Sequence, residues 1–446
     1  MKILNIIGNV IWGWPLIILL FGTHVFLTIR LKWIQRFIGK AIRMSFKKTG
    51  EGRGDIGHFG ALTTALAATI GTGNIVGVST AIALGGPGAV LWMWLTGFFG
   101  IATKYGEAVL SIKYRIKTHR GHFAGGPMYV MQLGLKSKWM GICFAAFTAI
   151  AAFGIGNTVQ ANSIATLVQE TFHIAPWISG VIMTVFTALV ILGGIQSIAR
   201  VCEIMVPFMA IGYIGGCLII LFMHWQNIPH TLSVIFAGAF QGQAAVGGFV
   251  GAAVRDTIRY GVARGLFSNE SGLGSAPILA AAAKTKNPVE QALVSSTGTF
   301  WDTVVICALT GLVIVNSGEW VNGLNGAMLT KTAFGDIPVL GPIILCAGLL
   351  TFVFSTILGW SYYGEKAIEY LFGHGAIQPY RWLWVAAVMV GSVVSMPAVW
   401  AFADIMNAFM ALPNLISLIL LNGVIVNETR KHLWSPKVLA PSHPKG

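Results

Sequence analysis

The chain has 446 residues, 55% of them hydrophobic and only 10% charged, where a soluble domain carries about 25% charged residues. With a mean hydropathy of +0.74, this excludes a soluble globular protein and points to an all-α polytopic membrane protein. The net charge of +14 is not a nucleic-acid signal. The basic residues fall between apolar runs, where they orient spans in a bilayer, and no nucleic-acid partner is expected.

The cysteines, Cys143, Cys202, Cys217, Cys307 and Cys346, lie in apolar stretches without CxxC or metal spacing, which reads as inert packing and not a disulfide frame. The amino terminus carries Lys2 and then an apolar run from about Ile11 to Ile29. It lacks an A-x-A cleavage site and is followed by many basic residues, so a retained span is expected, not a signal peptide.

In chain order, the first span covers about residues 10–29. Eight basic residues follow between Arg30 and Arg53, which places that loop in the cytoplasm and the amino terminus outside. The spacing of Ile34, Phe37, Ile38 and Ile42 predicts a helix lying on the membrane surface. The second span, 55–83, runs outward, and Gly85-Gly86-Pro87-Gly88 turns the chain into a third, 89–112, which returns to a basic loop at Lys113–Lys138. A fourth span, 139–169, runs out, a fifth, 175–193, returns to Arg200, and a sixth, 201–224, leads to a stretch without Lys or Arg, 225–249. The seventh, 250–283, ends inside at Lys284 and Lys286. Its first half carries Arg255, Asp256, Arg259 and Arg264, expensive in lipid and therefore expected to face water or a vestibule. Spans at 288–315, 340–371, 382–397 and 404–426 complete a set of about eleven, and a basic tail puts the carboxyl terminus in the cytoplasm.

Two spans are interrupted. Thr69-Ile70-Gly71-Thr72-Gly73-Asn74 in the second and Phe267-Ser268-Asn269-Glu270-Ser271-Gly272 in the seventh place glycine and polar residues where lipid most demands a continuous helix. Broken backbone at that depth is tolerated only where it is buried in protein or lines a cavity, and in transporters it builds the substrate and ion site. The two spans lie five apart and cross in opposite directions. That predicts an inverted repeat of five spans plus five, 55–224 and 250–426, behind an extra helix and basic loop, 1–54, and ahead of a tail, 427–446.

ATIGTGNIVGV (68–78), GGPGAVLWMW (85–94), GLFSNESGLGSAPI (265–278) and FSTILGWSYYGEK (354–366) together resemble the alanine-or-glycine:cation symporter family. The likeness covers nearly the whole chain, with the motifs in order. It implies the five-plus-five fold of the wider amino-acid carrier superfamily and sodium-coupled uptake of small neutral amino acids across a bacterial or archaeal cell (inner or cytoplasmic) membrane. No organic cofactor is implied, and a monomer in the bilayer suffices.

For the substrate, N–H groups of Thr72, Gly73 and Asn74 at the start of a half-helix suit a carboxylate. Phe267, Ser268, Asn269 and Gly272 at the second break add acceptors, with Phe267 walling a small pocket. The resemblance implies that both breaks touch substrate and that Gln160 and Trp360 face it. Interhelical hydrogen bonding for Gln160 and packing on a neighbouring span for Trp360 are the plain alternatives. It also implies a Na⁺ site from the carbonyls of Ala67 and Ile70 with the hydroxyls of Ser355 and Thr356, against the alternative that Ser and Thr bond their own helix. Asp302 and Glu270 are intramembrane acids, functional by default. Asp302 is a candidate for a second cation or a proton, or else pairs with an arginine or a backbone amide. Glu270 orients the unwound loop or holds an ammonium.

Proton-coupled symport through Asp302 or Glu270 is the second transporter reading. A membrane enzyme is disfavoured, because the histidines supply no constellation at membrane depth and no HExxH. A channel is disfavoured because paired breaks predict an occluding site.

Overall fold

The computed structural model describes residues 7–8, 10–47, 52–118, 121–241, 254–335, 337, 340–394 and 397–435. Expectations resting on Lys2, Lys48, residues 250–253 and the end of the tail lie outside these.

Among the described residues the regular structure is helical, apart from a two-stranded hairpin that pairs Ile116–Lys117 with Phe123–Ala124 and isolated β-bridges of Arg53 with Thr285 and Ile56 with Ala283. The first helix, α1 (Trp14–Arg30), is followed across a 65° bend by a short helical stretch, Ile34–Ser45. There Lys40 and Arg43 are exposed while Ala41 and Ser45 are buried, the two-sided character of a helix at an interface.

The second span divides into α2 (His58–Thr69), a wide π turn (Gly73–Gly77) and α3 (Val78–Gly85), the halves bent by 51°. The third is one long helix, α4 (Ala89–Lys113). The fourth is α5 (Lys138–Phe153) and α6 (Val159–Phe172), joined through another π turn at Gly154–Thr158. Then come α7 (Pro176–Ile191) and α8 (Gly194–Met223). The seventh span is α9 (Val254–Asn269), an irregular turn, and the five-residue α10 (Ala276–Ala280). The eighth runs through α11 (Pro288–Thr299), a further π segment (Phe300–Cys307) and α12 (Ala308–Ser317). The last are α13 (Leu340–Phe372), α14 (Ile377–Val393), α15 (Pro397–Leu420) and a separate α16 (Asn422–His432).

Several boundaries differ from expectation for physical reasons. The last two spans are already helical at Ile377 and Pro397, ahead of the expected 382 and 404; in the first of them polar Gln378 and Arg381 lower the hydropathy of a helix that has already started. The tail is helical to His432, after a break at Leu421. Two stretches expected as connectors are helices, Ile228–Gln241 and Gly326–Phe334. The first lies against α4, where Trp92 donates to the Ala239 carbonyl at 3.2 Å, and the second takes the Ser79 hydroxyl on its Gly326 carbonyl at 2.7 Å.

One end of the bundle gathers the basic loops. Arg115 donates to the carbonyls of Arg53, Ala281 and Ala283, and Lys113 pairs with Glu428 at 2.7 Å. A cavity of about 510 Å³ opens there, lined by Asp55, His122, Tyr362, Glu365 and Arg381 among others. Towards the opposite end lies one of about 390 Å³, with Arg259, Arg264, Phe267 and Asp404 in its wall. Arg264 reaches Asp404 at 3.7 Å.

Candidate functional site: two helix breaks

The first break starts at Thr69, the last residue of α2. Ile70 is extended (φ −75°, ψ 98°), and helical turns resume only at Gly73. The N–H groups freed here are taken by side chains: Gly71 N–H donates to Asn74 Oδ1 at 2.9 Å, and Thr72 N–H to Gln160 Oε1 at 3.4 Å. Asn74 N–H returns to the Gly71 carbonyl at 3.2 Å. In this conformation Thr72 and Asn74 therefore present partnered amides, not free ones.

The second break sits later than the sequence pattern placed it. Phe267, Ser268 and Asn269 are still within α9, and the irregular turn begins at Glu270. Glu270 adopts a left-handed φ of +57°, and Gly272 a φ of +97°, backbone that a side chain resists and glycine accepts. The turn is tied internally by Ser271 N–H to Asn269 Oδ1 at 2.8 Å and by Ser275 Oγ to the Glu270 carboxylate.

Asp302 joins the two breaks. Its carboxylate is fully buried and accepts Asn74 Nδ2 at 2.8 Å, Ser268 Oγ at 2.9 Å and Thr303 Oγ1 at 2.7 Å. The partners are neutral side chains, so the arginine pairing weighed above does not occur here. The breaks also touch directly: a Cβ at Gly73 would lie 3.1 Å from Ser268 Cα.

Gln160 reaches the same place from the fourth span, its Nε2 donating to Thr72 Oγ1 at 3.1 Å and to the Ile155 carbonyl at 2.9 Å. Ile155 lies in one π turn and Asp302 in another. Such turns free backbone groups and favour functional sites. Trp360 packs on Gly156, where a Cβ would come within 2.3 Å of the tryptophan, and its ring meets Tyr363 edge-on. Gln160 thus makes an interhelical hydrogen bond and Trp360 packs on a neighbouring span, while both line the space between the breaks.

Between these groups is a cavity of about 10 Å³ lined by Gly71, Gln160, Phe267, Glu270, Thr356 and Trp360, room for about one water-sized sphere. The site is closed in this conformation. Phe267 also lines the 390 Å³ cavity, so its ring stands between that vestibule and the enclosed site.

The predicted ion ligands converge on the end of α2. Ser355 Oγ lies 3.2 Å from the Ala67 carbonyl, and Thr356 Oγ1 3.2 Å from the Ile70 carbonyl. Both hydroxyls also donate within their own helix, to the Phe352 carbonyl at 2.9 and 2.8 Å. The oxygens are buried and of the kind a hard monovalent cation takes, at the negative end of a half-helix. Lys104 and Glu107 of α4, which sequence reasoning did not single out, also meet the second break. A lysine and a glutamate three apart inside an otherwise apolar stretch were the available signal.

A profile of the sodium:alanine symporter family matches residues 1–440. The chain belongs to this family. It is 50% identical over 440 residues to the sodium/alanine symporter AgcS of Methanococcus maripaludis, covering 96% of each chain. It is 35% identical over 440 residues to GlnT of Bacillus subtilis, described as a probable sodium/glutamine symporter, covering 98% of this chain and 91% of the relative. Among solved structures it shares the fold of MhsT, crystallised with L-phenylalanine, at a TM-score of 0.60 and 15% identity, covering 86% of this chain and 95% of that one. The protein is thus a multi-pass membrane transporter for amino acids and not an enzyme.

Proposed function

We propose that the protein carries alanine or glycine into the cell together with Na⁺, by alternating access. The observation that carries this reading is the convergence of Ala67, Ile70, Ser355 and Thr356 oxygens on the half-helix end beside the closed cavity. Thr356 belongs to both the ion ligands and the cavity wall. Na⁺ held there draws the first break against α13, and an amino acid bound between the breaks draws the second against the first. Each solute then favours the conformation the other needs, which is what coupling requires.

The enclosing residues Ile155, Gln160, Phe267, Leu273 and Trp360 crowd the closed cavity, which favours a small side chain over a bulky one, and the 50% identical relative, named as a sodium/alanine symporter, supports alanine. On binding, amides at the first break exchange their present partners, Asn74 and Gln160, for the substrate carboxylate; Glu270 and the second-break carbonyls take its ammonium. Asp302 keeps the breaks in register. The five-plus-five repeat, 55–224 and 250–426, operates as a monomer in the cell membrane. Its basic end is in the cytoplasm and its amino terminus outside.

The test is uptake of radiolabelled alanine into proteoliposomes under an inward Na⁺ gradient, with a pH gradient as control. Uptake should require Na⁺ and fall at least about tenfold in Ser355→Ala and Thr356→Ala, the loss expected for a ligand to a charged group. Uptake driven by the pH gradient alone would overturn the sodium reading.

A further inference from the structure

The second break is held by a pair of opposite charges from a helix that contributes nothing to either break. On α4, Lys104 and Glu107 stand one turn apart on the same face, and each is nearly inaccessible, 2% and 3% exposed. Lys104 Nζ donates to the carbonyl of Asn269 at 2.7 Å. Asn269 is the last residue of α9, so the ammonium meets the carbonyl end of a half-helix, where the partial negative charge of the aligned peptides collects. Three residues on, Glu107 Oε1 accepts the Gly272 N–H at 3.0 Å and Asn414 Nδ2 at 2.6 Å; Asn414 Nδ2 also donates to the Gly272 carbonyl at 2.9 Å. The two charges bracket the turn that contains Glu270, the residue with a left-handed backbone.

At membrane depth a charge is retained only for a reason, and backbone groups freed by a break must find partners in the protein. Lys104 satisfies one such carbonyl, and Glu107 one such N–H. Neutral partners serve the same needs at the first break, where Asn74 and Gln160 suffice. The second break gets a lysine in the field of Glu270, Glu107 and Asp302, which balances carboxylates that would otherwise stand together without a cation.

We propose that Lys104 and Glu107 are positioning residues for substrate recognition: they hold the Asn269–Gly272 turn in the shape that presents Glu270 and Phe267 to the bound amino acid. Neither residue lines the enclosed cavity, and neither reaches the ion ligands. Their effect falls on alanine and not on Na⁺. This rests on the reading that the second break binds substrate.

The experiment is alanine uptake by the full chain in proteoliposomes, with alanine KM measured at saturating Na⁺ and the Na⁺ half-saturation measured at saturating alanine. Lys104→Met keeps the length and removes the charge. It should raise alanine KM about tenfold or more, the size of a lost charged hydrogen bond, while the Na⁺ value stays within about twofold. Glu107→Gln, which keeps an acceptor for Gly272, should restore part of the loss when combined with Lys104→Met, because it removes a carboxylate the lysine balanced. Wild-type KM in Lys104→Met, an equal rise in both constants, or no rescue in the double variant overturns the positioning role alone. Absence of wild-type uptake overturns the transport reading, and this proposal with it. Should Lys104→Met not purify as a single species, Lys104→Arg carries the test. Its larger head displaces Asn269 and should raise alanine KM with the Na⁺ value unchanged; an unchanged KM overturns the proposal.

Discussion

The two helix breaks solve one problem in different ways. The first is short. One extended residue, Ile70, ends α2, and neutral side chains of Asn74 and Gln160 take the freed N–H groups within a turn or from the neighbouring span. The second runs from Glu270 to Ser275, bends through the left-handed region at Glu270, Gly272 and Gly274, and is held by the charges of Lys104 and Glu107. On the proposed reading the first break takes the cation among the carbonyls of Ala67 and Ile70, which the neutral partners of its N–H groups leave available. The second is built to stay in one shape, which suits recognition of a zwitterion.

Three substitutions break or sharpen this contrast. The largest effect is expected at the link between the breaks. Asp302→Ala leaves Asn74, Ser268 and Thr303 without their shared acceptor, and alanine uptake should fall about a hundredfold or more, as for removal of one partner from a buried charged network. Near-normal uptake would mean that the breaks move independently of Asp302. Next is Gly272→Ala, which forces a side chain onto left-handed backbone at a cost of about 1–2 kcal/mol, and its Cβ would meet Leu415 at 3.1 Å. A lowered melting temperature in detergent and a raised alanine KM should appear together; a melting temperature equal to wild type would show that the turn is not held. The smallest global effect is expected for Gly71→Ala. Its backbone is not left-handed, but a Cβ would lie 2.5 Å from Thr356 Oγ1. The melting temperature should hold while the Na⁺ half-saturation rises about tenfold, equivalent to about 1.4 kcal/mol. A Na⁺ half-saturation equal to wild type would show that Thr356 does not hold the ion.

Much of this was legible in the sequence, and the part that was not has a common cause. The membrane class, the order of the spans and the existence of both breaks follow from hydropathy and from glycine with polar residues at mid-span, because those are properties of consecutive residues. The position of the second break was read three residues early. Phe267, Ser268 and Asn269 look helix-breaking by composition, yet α9 continues through them because Ser268 and Asn269 satisfy their side chains on Asp302 and Thr303. Ser355 and Thr356 were assigned through family resemblance; spacing alone leaves them as ordinary helix hydroxyls, and they do make those bonds. Lys104, Glu107 and Asn414 were missed because their roles exist only across helices. Nothing in residues 89–112 says that two of them face a turn some 165 positions away.

The most direct test of the coupling between the breaks is the affinity of the purified protein for alanine, measured at equilibrium in Na⁺ and again with choline in its place. Binding should be at least about tenfold tighter in Na⁺, a coupling of about 1–3 kcal/mol, and the difference should vanish when Ser355 and Thr356 are both changed to alanine. Equal affinity in Na⁺ and choline would contradict a shared ion and substrate site at the two breaks.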